Sequence, residues 1–180
     1  MIRFVLIALI SSLLLFSSSC QLFKGAGQSD AKSDGFDYSR YTIGKDRIGN
    51  VLLGMKRKEA EEELKGLERK QVPAFYFGFG GGSDAYTYSH QGEDVLALIP
   101  HMHKDSVIAM VALHKNLKTT NGLSPGDPIS KLKATYPGKE FEEDQMNGWL
   151  LMMDQPKSWQ FVFIPKAEEE EQIIEWITIF

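Results

Sequence analysis

The pattern of apolar and polar residues divides the chain into three parts. Residues 4–16 are almost entirely apolar, residues 21–35 are rich in Gly, Ser, Asp and Lys, and the rest alternates between apolar and polar stretches. A polar segment with few large apolar side chains cannot bury enough surface to offset the entropy lost on ordering. We therefore expect a signal peptide at residues 1–19, a flexible tether at residues 20–35 and a single globular domain at residues 36–180.

Two segments of this domain share one layout, in which an apolar residue and a turn glycine precede a short amphipathic helix. The first helix carries an apolar stripe among lysines and glutamates, formed by Met55, Ala60, Leu64 and Leu67. The second helix follows a Gly-Asp-Pro turn and carries the stripe Ile129, Leu132 and Tyr136. A spacing of 72 residues places Gly54 on Gly126. We therefore expect two related helices, each packing one face on a sheet.

Each predicted helix is followed by short runs of β-branched and aromatic residues that are separated by turn residues. These runs predict strands at residues 73–79, 84–89, 94–99 and 106–114, and again at 140–141, 148–153, 159–164 and 172–180. Short connections between consecutive strands indicate antiparallel meanders. The sequence thus predicts an α+β fold of two tandem repeats, residues 36–118 and 119–180, with both helices on one face of the sheet.

The charge balance disfavours two classes of partner. The chain has 20 basic and 24 acidic side chains, and its basic residues form no stripe. A mildly acidic surface disfavours nucleic acid and direct docking on anionic lipid. Runs of carboxylates such as residues 168–171 are typical of solvated loop tips, because acid–base catalysis needs carboxylates in contrasting environments.

The first residues have the three-part layout of a secretory signal. Arg3 supplies a positive charge, residues 4–16 supply the apolar run and residues 17–19 are small serines. The apolar run is shorter than the ~20 residues that a membrane-spanning helix needs. Cys20 follows directly and is the only cysteine of the chain, so it has no partner for an intrachain disulfide. A lone cysteine at the cleavage point indicates acylation, and the alternative is a free thiol in an ordinary secreted protein.

Ser18, Ser19 and Cys20 resemble the lipobox of bacterial lipoproteins, whose leader is cut before a cysteine that is then lipidated. Ser17 departs from the Leu, Val or Ile that is usual at its position, and residues 17–19 also satisfy the small-x-small rule of ordinary secretion. The resemblance implies acyl chains such as palmitate on Cys20 and a location on a membrane of the cell envelope, facing the periplasm or the cell surface. Several acyl chains would form a stable anchor.

Residues 53–60, Leu-Gly-Met-Lys-Arg-Lys-Glu-Ala, and residues 122–129 each precede a predicted meander. This layout is similar to the β-lactamase-inhibitor-protein-like fold, and half of it resembles the small outer-membrane-assembly lipoproteins. The resemblance spans residues 43–180. It implies a module without enzymatic activity that binds other proteins with its sheet face, and it carries no contact residue and no cofactor over to this chain.

Candidate reactive groups are few. His101 and His103 could begin a metal site, but Pro100 and Lys104 beside them indicate an exposed polar turn. The glycine-rich residues 78–82 lack the lysine and the following helix of a phosphate-binding loop, so they indicate a hairpin connection. The sequence contains no motif for an activated nucleophile or a catalytic metal. We therefore expect neither a cofactor nor enzymatic activity.

Aromatic side chains are the better candidates for a binding surface. On a strand at residues 73–79, alternate side chains would share one face. Aromatic residues on strands are either core residues or, where they face outward, anchors for a protein partner. The candidate partner-binding residues are Phe75, Phe77, Phe79, Tyr86, Trp149 and Trp159.

Two functions remain open at this point. The first is a lipid-anchored envelope protein that acts as an adaptor or inhibitor by binding another envelope protein through its sheet face, with no small-molecule ligand. The second is an envelope hydrolase or metal-binding protein that uses the His101 region. An outward-facing aromatic surface would favour the first, whereas a pocket in which His101, His103 and a carboxylate converge would favour the second.

Overall fold

The structure is a computed structural model, and it describes residues 35–80, 82–144, 149–153, 160–165 and 173–180. Asp37–Phe180 form one unit. Its elements, in chain order, are a 3-10 helix at Tyr38–Tyr41, β1 (Arg47–Ile48), β2 (Val51–Leu52), α1 (Arg57–Glu63), β3 (Glu68–Pro73), a second 3-10 helix at Ala74–Phe77, β4 (Asp84–His90), β5 (Glu93–Pro100), β6 (Val107–Ala112), α2 (Ile129–Thr135), β7 (Phe141–Asp144), β8 (Trp149–Met153), β9 (Gln160–Pro165) and β10 (Ile174–Ile179).

Eight of the strands form one antiparallel sheet in the order β3-β4-β5-β6-β10-β9-β8-β7. Strands β3 to β6 and strands β7 to β10 are each joined consecutively, and β6 pairs with β10 at the centre. In that central pair Val111 lies opposite Thr178. The two remaining strands, β1 and β2, form a separate hairpin. The prediction of an α+β fold with an antiparallel sheet is confirmed.

The turn before each α-helix is held to the start of a central strand by a pair of backbone hydrogen bonds. The Gly54 N–H donates to Val107 O at 2.8 Å, and the Val107 N–H donates to Met55 O at 2.8 Å. The Gly126 N–H donates to Ile174 O at 2.7 Å, and the Ile174 N–H donates to Asp127 O at 2.9 Å. Gly54 and Gly126 both have positive φ angles, +83° and +89°, which only glycine adopts without strain.

The helices bury the apolar positions that the stripes predict. Ala60 in α1 and Leu132 in α2 are fully buried, and so is Leu64, which follows α1. Helix α2 ends at Thr135, because Tyr136 precedes a proline whose ring disfavours the helical conformation of the residue before it. Within the described residues, no helix combines the length and the apolar composition needed to span a bilayer.

The central strands are buried on both faces. Residues 95–99 of β5 are buried without interruption, and nearly all of β6 is buried as well. One face carries a cluster that includes Ile99 and Val111 together with Ala74 and Phe77 of the second 3-10 helix. On the other face, α1 brings its first residue, Arg57, over the ring of Tyr86. The central strands therefore present little surface to solvent on either face.

The predicted strand at residues 73–79 was wrong. The chain leaves the sheet at Pro73 and forms the 3-10 helix Ala74–Phe77, which Gly78 ends with a φ angle of +79°. Because side chains three residues apart eclipse in a 3-10 helix, Ala74 and Phe77 both point into the core while the two residues between them face solvent. Phe75 and Phe77 therefore do not share a face.

Strand β3 was not predicted, because Glu68, Arg69 and Lys70 give it a charged pattern. It lies at one edge of the sheet, where charged side chains protect the unpaired backbone from further strand pairing. The hairpin of β1 and β2 was missed as well, since two-residue strands carry almost no periodic signal.

Candidate functional site

The predicted site residues fall into three groups. Cys20 and Trp159 lie outside the described residues, and of Trp149 the structure describes only the backbone, which lies in β8. Phe77 is buried, and Phe79 packs partly buried against the same cluster. Phe75 is exposed, and Tyr86 is half-buried beneath two arginines. The structure thus separates the predicted aromatic face into core and surface residues.

Among the described residues, the exposed large apolar side chains form what we call the apolar rim, made up of Phe75, Tyr76, Met102, Ile108 and Phe180. Phe75 and Tyr76 are the most exposed, at 63% and 60%, and their rings contact each other with centroids 4.5 Å apart. Met102 is 56% exposed. Each of these side chains keeps more than a third of its surface in water.

The topology places the whole apolar rim at one end of the sheet. Phe75 and Tyr76 follow the last residue of β3, and Met102 follows the end of β5. Ile108 is the second residue of β6, and Phe180 follows the end of β10. Because neighbouring strands are antiparallel, the ends of β3, β5 and β10 coincide with the start of β6. We call this end the rim end.

The opposite end of the sheet receives the chain that comes from the N-terminus. His114 follows the end of β6, and the ring of Tyr38 stacks on its ring with centroids 4.3 Å apart. The Asn116 N–H donates to His114 Nδ1 at 3.1 Å, so Nε2 carries the proton and donates to Glu93 Oε2 at 2.9 Å. His114 is thereby fixed in one orientation, and it holds the first 3-10 helix at this end.

A cluster of charged side chains lies between α1 and the first half of the sheet, close to the rim end. We call it the Arg57 cluster; it consists of Arg57, Glu61, Arg69, Tyr86 and Asp105. Arg57 Nε donates to Asp105 Oδ1 at 2.6 Å, and Arg57 Nη1 donates to Glu61 Oε1 at 2.8 Å. Arg69 Nη1 donates to the same oxygen of Glu61 at 2.6 Å. Glu61 therefore bridges both arginines.

Both guanidinium groups also contact the ring of Tyr86, each with its Cζ atom 5.2 Å from the ring centroid, a distance typical of cation–π pairs. The hydrogen bond to Asp105 raises the pKa of Arg57 further above its already high ordinary value, so Arg57 is always charged. Burial, with a smaller contribution from Glu61, raises the pKa of Tyr88 to about 12. Arg69 and Tyr88 are cross-strand partners.

A cavity of about 230 Å³ opens between the Arg57 cluster and the apolar rim. Arg57, Tyr86 and Asp105 line it from the cluster, and Ser83, Asp84, Pro100, His101, Met102 and His103 are among the residues that complete its wall. The rings of His101 and His103 lie 6.0 Å apart, but the His103 N–H donates to His101 Nδ1 at 3.0 Å, which occupies that ring nitrogen. Within the described residues, no group of three or more His, Cys, Asp and Glu side chains could hold a metal ion.

A larger cavity of about 400 Å³ lies beside His114 at the end opposite the apolar rim. Its lining includes the carboxylates of Glu93, Asp94 and Glu175 and the side chain of Lys115. Of these, Glu93 is paired with His114.

Sequence reasoning missed the Arg57 cluster. Arg57 and Glu61 are spaced as an i, i+4 pair on a helix, which is a detectable signal, but such pairs usually lie on solvated surfaces. Asp105 is 48 residues away along the chain and Arg69 belongs to the strand that was not predicted. Their convergence therefore required the tertiary structure.

No family model and no curated protein matches the chain. Among solved structures, it is similar to the crystal structure of the uncharacterized protein YfeY from Escherichia coli, at 8% sequence identity and a TM-score of 0.50. The alignment covers 76% of this chain and 97% of that chain. At this identity the similarity concerns the fold alone.

Proposed function

We propose that the chain is a lipid-anchored protein of the bacterial cell envelope that binds another protein and has no enzymatic activity. The observation that carries this proposal is the position of the apolar rim, at the end of the sheet opposite the attachment of Tyr38 to His114. Within the rim, Phe75 and Tyr76 form an exposed pair of aromatic rings, and exposed apolar surface of this kind marks interaction sites. The central strands are covered on both faces, so the surface proposed for the partner is the rim end of the sheet.

An anchor on acylated Cys20 would join this domain through residues 21–37, at the end away from the apolar rim. The flexible tether expected at residues 20–35 would leave the rim within reach of an envelope protein. Phe75 and Tyr76 supply the large, rigid side chains that dominate binding energy at protein interfaces.

The same proposal includes the two-repeat architecture, a helix followed by a meander, twice. It is supported by the matching hydrogen bonds of Gly54 with Val107 and of Gly126 with Ile174. The register of β6 with β10 supports it too, because a two-fold axis through the pair Val111 and Thr178 would exchange the two halves. Such an axis is perpendicular to the sheet and does not exchange its two faces. α1 and α2 would therefore lie on the same face.

A second candidate, an envelope hydrolase or metal-binding protein, is favoured by one observation. His101 and His103 both line the cavity near the carboxylates of Asp84 and Asp105. Two imidazoles and a carboxylate are a common ligand set of zinc sites, although the described residues do not bring these groups together as one. This candidate ranks second because His101 Nδ1 already accepts a hydrogen bond.

The anchor is tested by the intact mass and membrane partitioning of the native protein beside a Cys20→Ala variant. We expect acyl chains and flotation with membranes for the native protein, and neither for the variant. An unmodified native thiol in a soluble protein would refute the anchor and leave the alternative of ordinary secretion.

The binding surface is tested separately, with a photo-crosslinking amino acid placed in cells at Tyr76 or Met102. Lys115, an exposed residue beyond the opposite end of β6, is the matched control position. We expect one discrete envelope protein crosslinked from both rim positions and not from position 115. Equal crosslinking from all three positions, or none from the rim, would show that the rim is not the interface.

A further inference from the structure

The two halves of the sheet can be compared position by position, which gives the chain an internal control. Val107 and Ile174 receive the equivalent backbone hydrogen bonds, so Met110, three residues after the first, corresponds to Ile177. Across the sheet, Met110 lies opposite Leu98, and Leu98 lies opposite Tyr86. In the same way, Ile177 lies opposite Phe163, and Phe163 lies opposite Leu150. Tyr86 in the first half therefore corresponds to Leu150 in the second.

Arg57, Arg69 and the neighbouring Tyr88 have apolar counterparts as well. Glu61, seven residues after Gly54, corresponds instead to Lys133, seven residues after Gly126. Beside these pairs, Tyr88 lies opposite Arg69 in the first half, and Met152 lies opposite Phe141 in the second. Arg57 stands three residues after Gly54, and Ile129 stands three residues after Gly126. The pairs of corresponding residues are thus Arg57 with Ile129, Arg69 with Phe141, Tyr86 with Leu150 and Tyr88 with Met152.

Stability does not explain why the first half carries charges at these positions. The side chains of Arg57 and Glu61 keep only 23% and 24% of their surface exposed, so they lose hydration that their ion pair replaces only in part. The Tyr88 hydroxyl is buried and has no hydrogen-bond partner within the described part of the chain. The second half carries apolar side chains at the positions of Arg57, Arg69, Tyr86 and Tyr88, and its Lys133, at the position of Glu61, is exposed to water. Charges kept where apolar residues suffice indicate a binding site.

Asp105 is the most exposed member of the cluster. Its side chain is 55% exposed, and its φ angle of +48° is uncommon for a residue other than glycine. It lies in the loop between β5 and β6, on the wall of the cavity, and its carboxylate meets Arg57 Nε at 2.6 Å. Arg57 thus already binds one carboxylate at the position where a ligand in the cavity would present another.

We propose that Arg57 anchors a site for a carboxylate-bearing ligand in the cavity at the rim end, and that Asp105 fills this site with its own carboxylate until the ligand displaces it. The proposal rests on the two-repeat correspondence and does not depend on the lipid anchor. A guanidinium group binds a carboxylate with two parallel N–H donors, which gives the site its preference for this group. Ser83 and the two imidazoles at the cavity wall are further hydrogen-bonding groups for the ligand.

The carboxylate could belong to a free organic acid or to an acidic side chain of a bound peptide, and two probes separate these sources. Succinate represents the free acid, and the end-blocked tripeptide Gly-Asp-Gly represents the peptide, with Gly-Asn-Gly as its uncharged match. The readout is the NMR signal of the Arg57 Nε–H, which is hydrogen-bonded to Asp105 in the unliganded protein.

Three variants make the test decisive. Asp105→Asn removes the competing charge, so we expect about fivefold tighter binding, the factor that corresponds to the ~1 kcal/mol of an exposed ion pair. Arg57→Ile installs the residue of the corresponding position in α2 and abolishes binding; Arg57→Gln replaces it if that variant does not fold. Lys131→Gln, on α2, removes an exposed ion pair with Asp127 and leaves binding unchanged.

Each outcome decides the proposal. Saturable binding of either probe that tightens in Asp105→Asn and is lost with Arg57 supports the site, and the probe that binds identifies the source of the carboxylate. Binding that survives the loss of Arg57, or that Asp105→Asn does not tighten, overturns it, as does the absence of any saturable shift in Asp105→Asn. None of these results depends on Cys20, so failure of the anchor and failure of this site remain distinguishable.

Discussion

Val111 and Thr178 lie directly opposite each other in the central strand pair, and they have nearly the same shape but different polarity. Both are buried, yet the Thr178 hydroxyl has no hydrogen-bond partner among the residues that the structure describes. A buried polar group without a partner costs ~1–3 kcal/mol. The middle of the sheet therefore contains a polar atom that stability does not require.

Thr178→Val should accordingly stabilise the fold, by ~1 kcal/mol in the free energy of unfolding measured with urea. Thr87→Val is the matched control, because the Thr87 hydroxyl, also buried in the sheet, donates to Lys70 O at 3.2 Å. We expect the control to lose stability. If both substitutions destabilise the protein alike, the Thr178 hydroxyl has a partner.

The second 3-10 helix makes a prediction that a strand would not make. Phe77→Ala should cost ~3 kcal/mol in the free energy of unfolding, because Phe77 is 7% exposed and packs edge-on against Trp176. Phe75→Ala should cost less than about 0.5 kcal/mol, because its ring lies at the surface. On a strand the two residues would share a face. Similar losses for both variants would contradict the observed geometry.

How far the sequence predicts this structure depends on which interactions decide each element. Strands β5 and β6 are marked by runs of apolar and β-branched residues, because they lie buried near the centre of the sheet. The alternation of Phe75, Tyr76 and Phe77 satisfies a strand and a 3-10 helix equally, and packing of Ala74 against the core decides between them.

The candidate site was harder to predict for a different reason. The Arg57 cluster brings together α1, the edge strand β3, and the loop between β5 and β6. No local pattern encodes that meeting, because charged residues at each of these places also suit an ordinary solvated surface. The comparison of the two halves becomes available only once the strand register is known.

The two turn glycines should respond alike to substitution. Gly54→Ala and Gly126→Ala each place a methyl group at a positive φ angle, which costs ~1–2 kcal/mol. Neither new methyl group meets a neighbouring atom closer than the 3.8 Å between position 126 and Lys115 Cβ, so backbone strain alone sets the loss. Gly80→Ala is the control, because Gly80 has open space and no such φ angle. Urea midpoints that fall equally for all three variants would refute this reasoning.

Stability should fall at high pH because of Tyr88. Its pKa in the folded protein is raised to about 12, above the ordinary value of 10.0, so the unfolded chain loses the phenol proton first. The contribution of Tyr88 is therefore complete below pH ~10 and is lost as pH rises towards 12, up to ~2–3 kcal/mol. Urea unfolding between pH 8 and pH 12 measures this loss, and Tyr88→Phe should reduce it. An unchanged pH profile in Tyr88→Phe would assign the loss to other groups, such as Tyr41 and Tyr136, whose pKa values burial also raises.

The Arg57 cluster should respond unequally to the removal of its members. Glu61→Gln leaves Arg57 and Arg69 facing each other across Tyr86 without the carboxylate that bridges them, so we expect a loss of ~1–2 kcal/mol. Arg57→Ile leaves Glu61 paired with Arg69 and installs an apolar residue where α2 has Ile129, so the loss should stay below ~0.5 kcal/mol or become a gain.

Urea unfolding at low and high salt compares the two variants, and added salt should lessen the loss in Glu61→Gln because it screens the two guanidinium charges from each other. A larger loss for Arg57→Ile than for Glu61→Gln would mean that Arg57 stabilises the fold, which would remove the reason to assign it to a ligand.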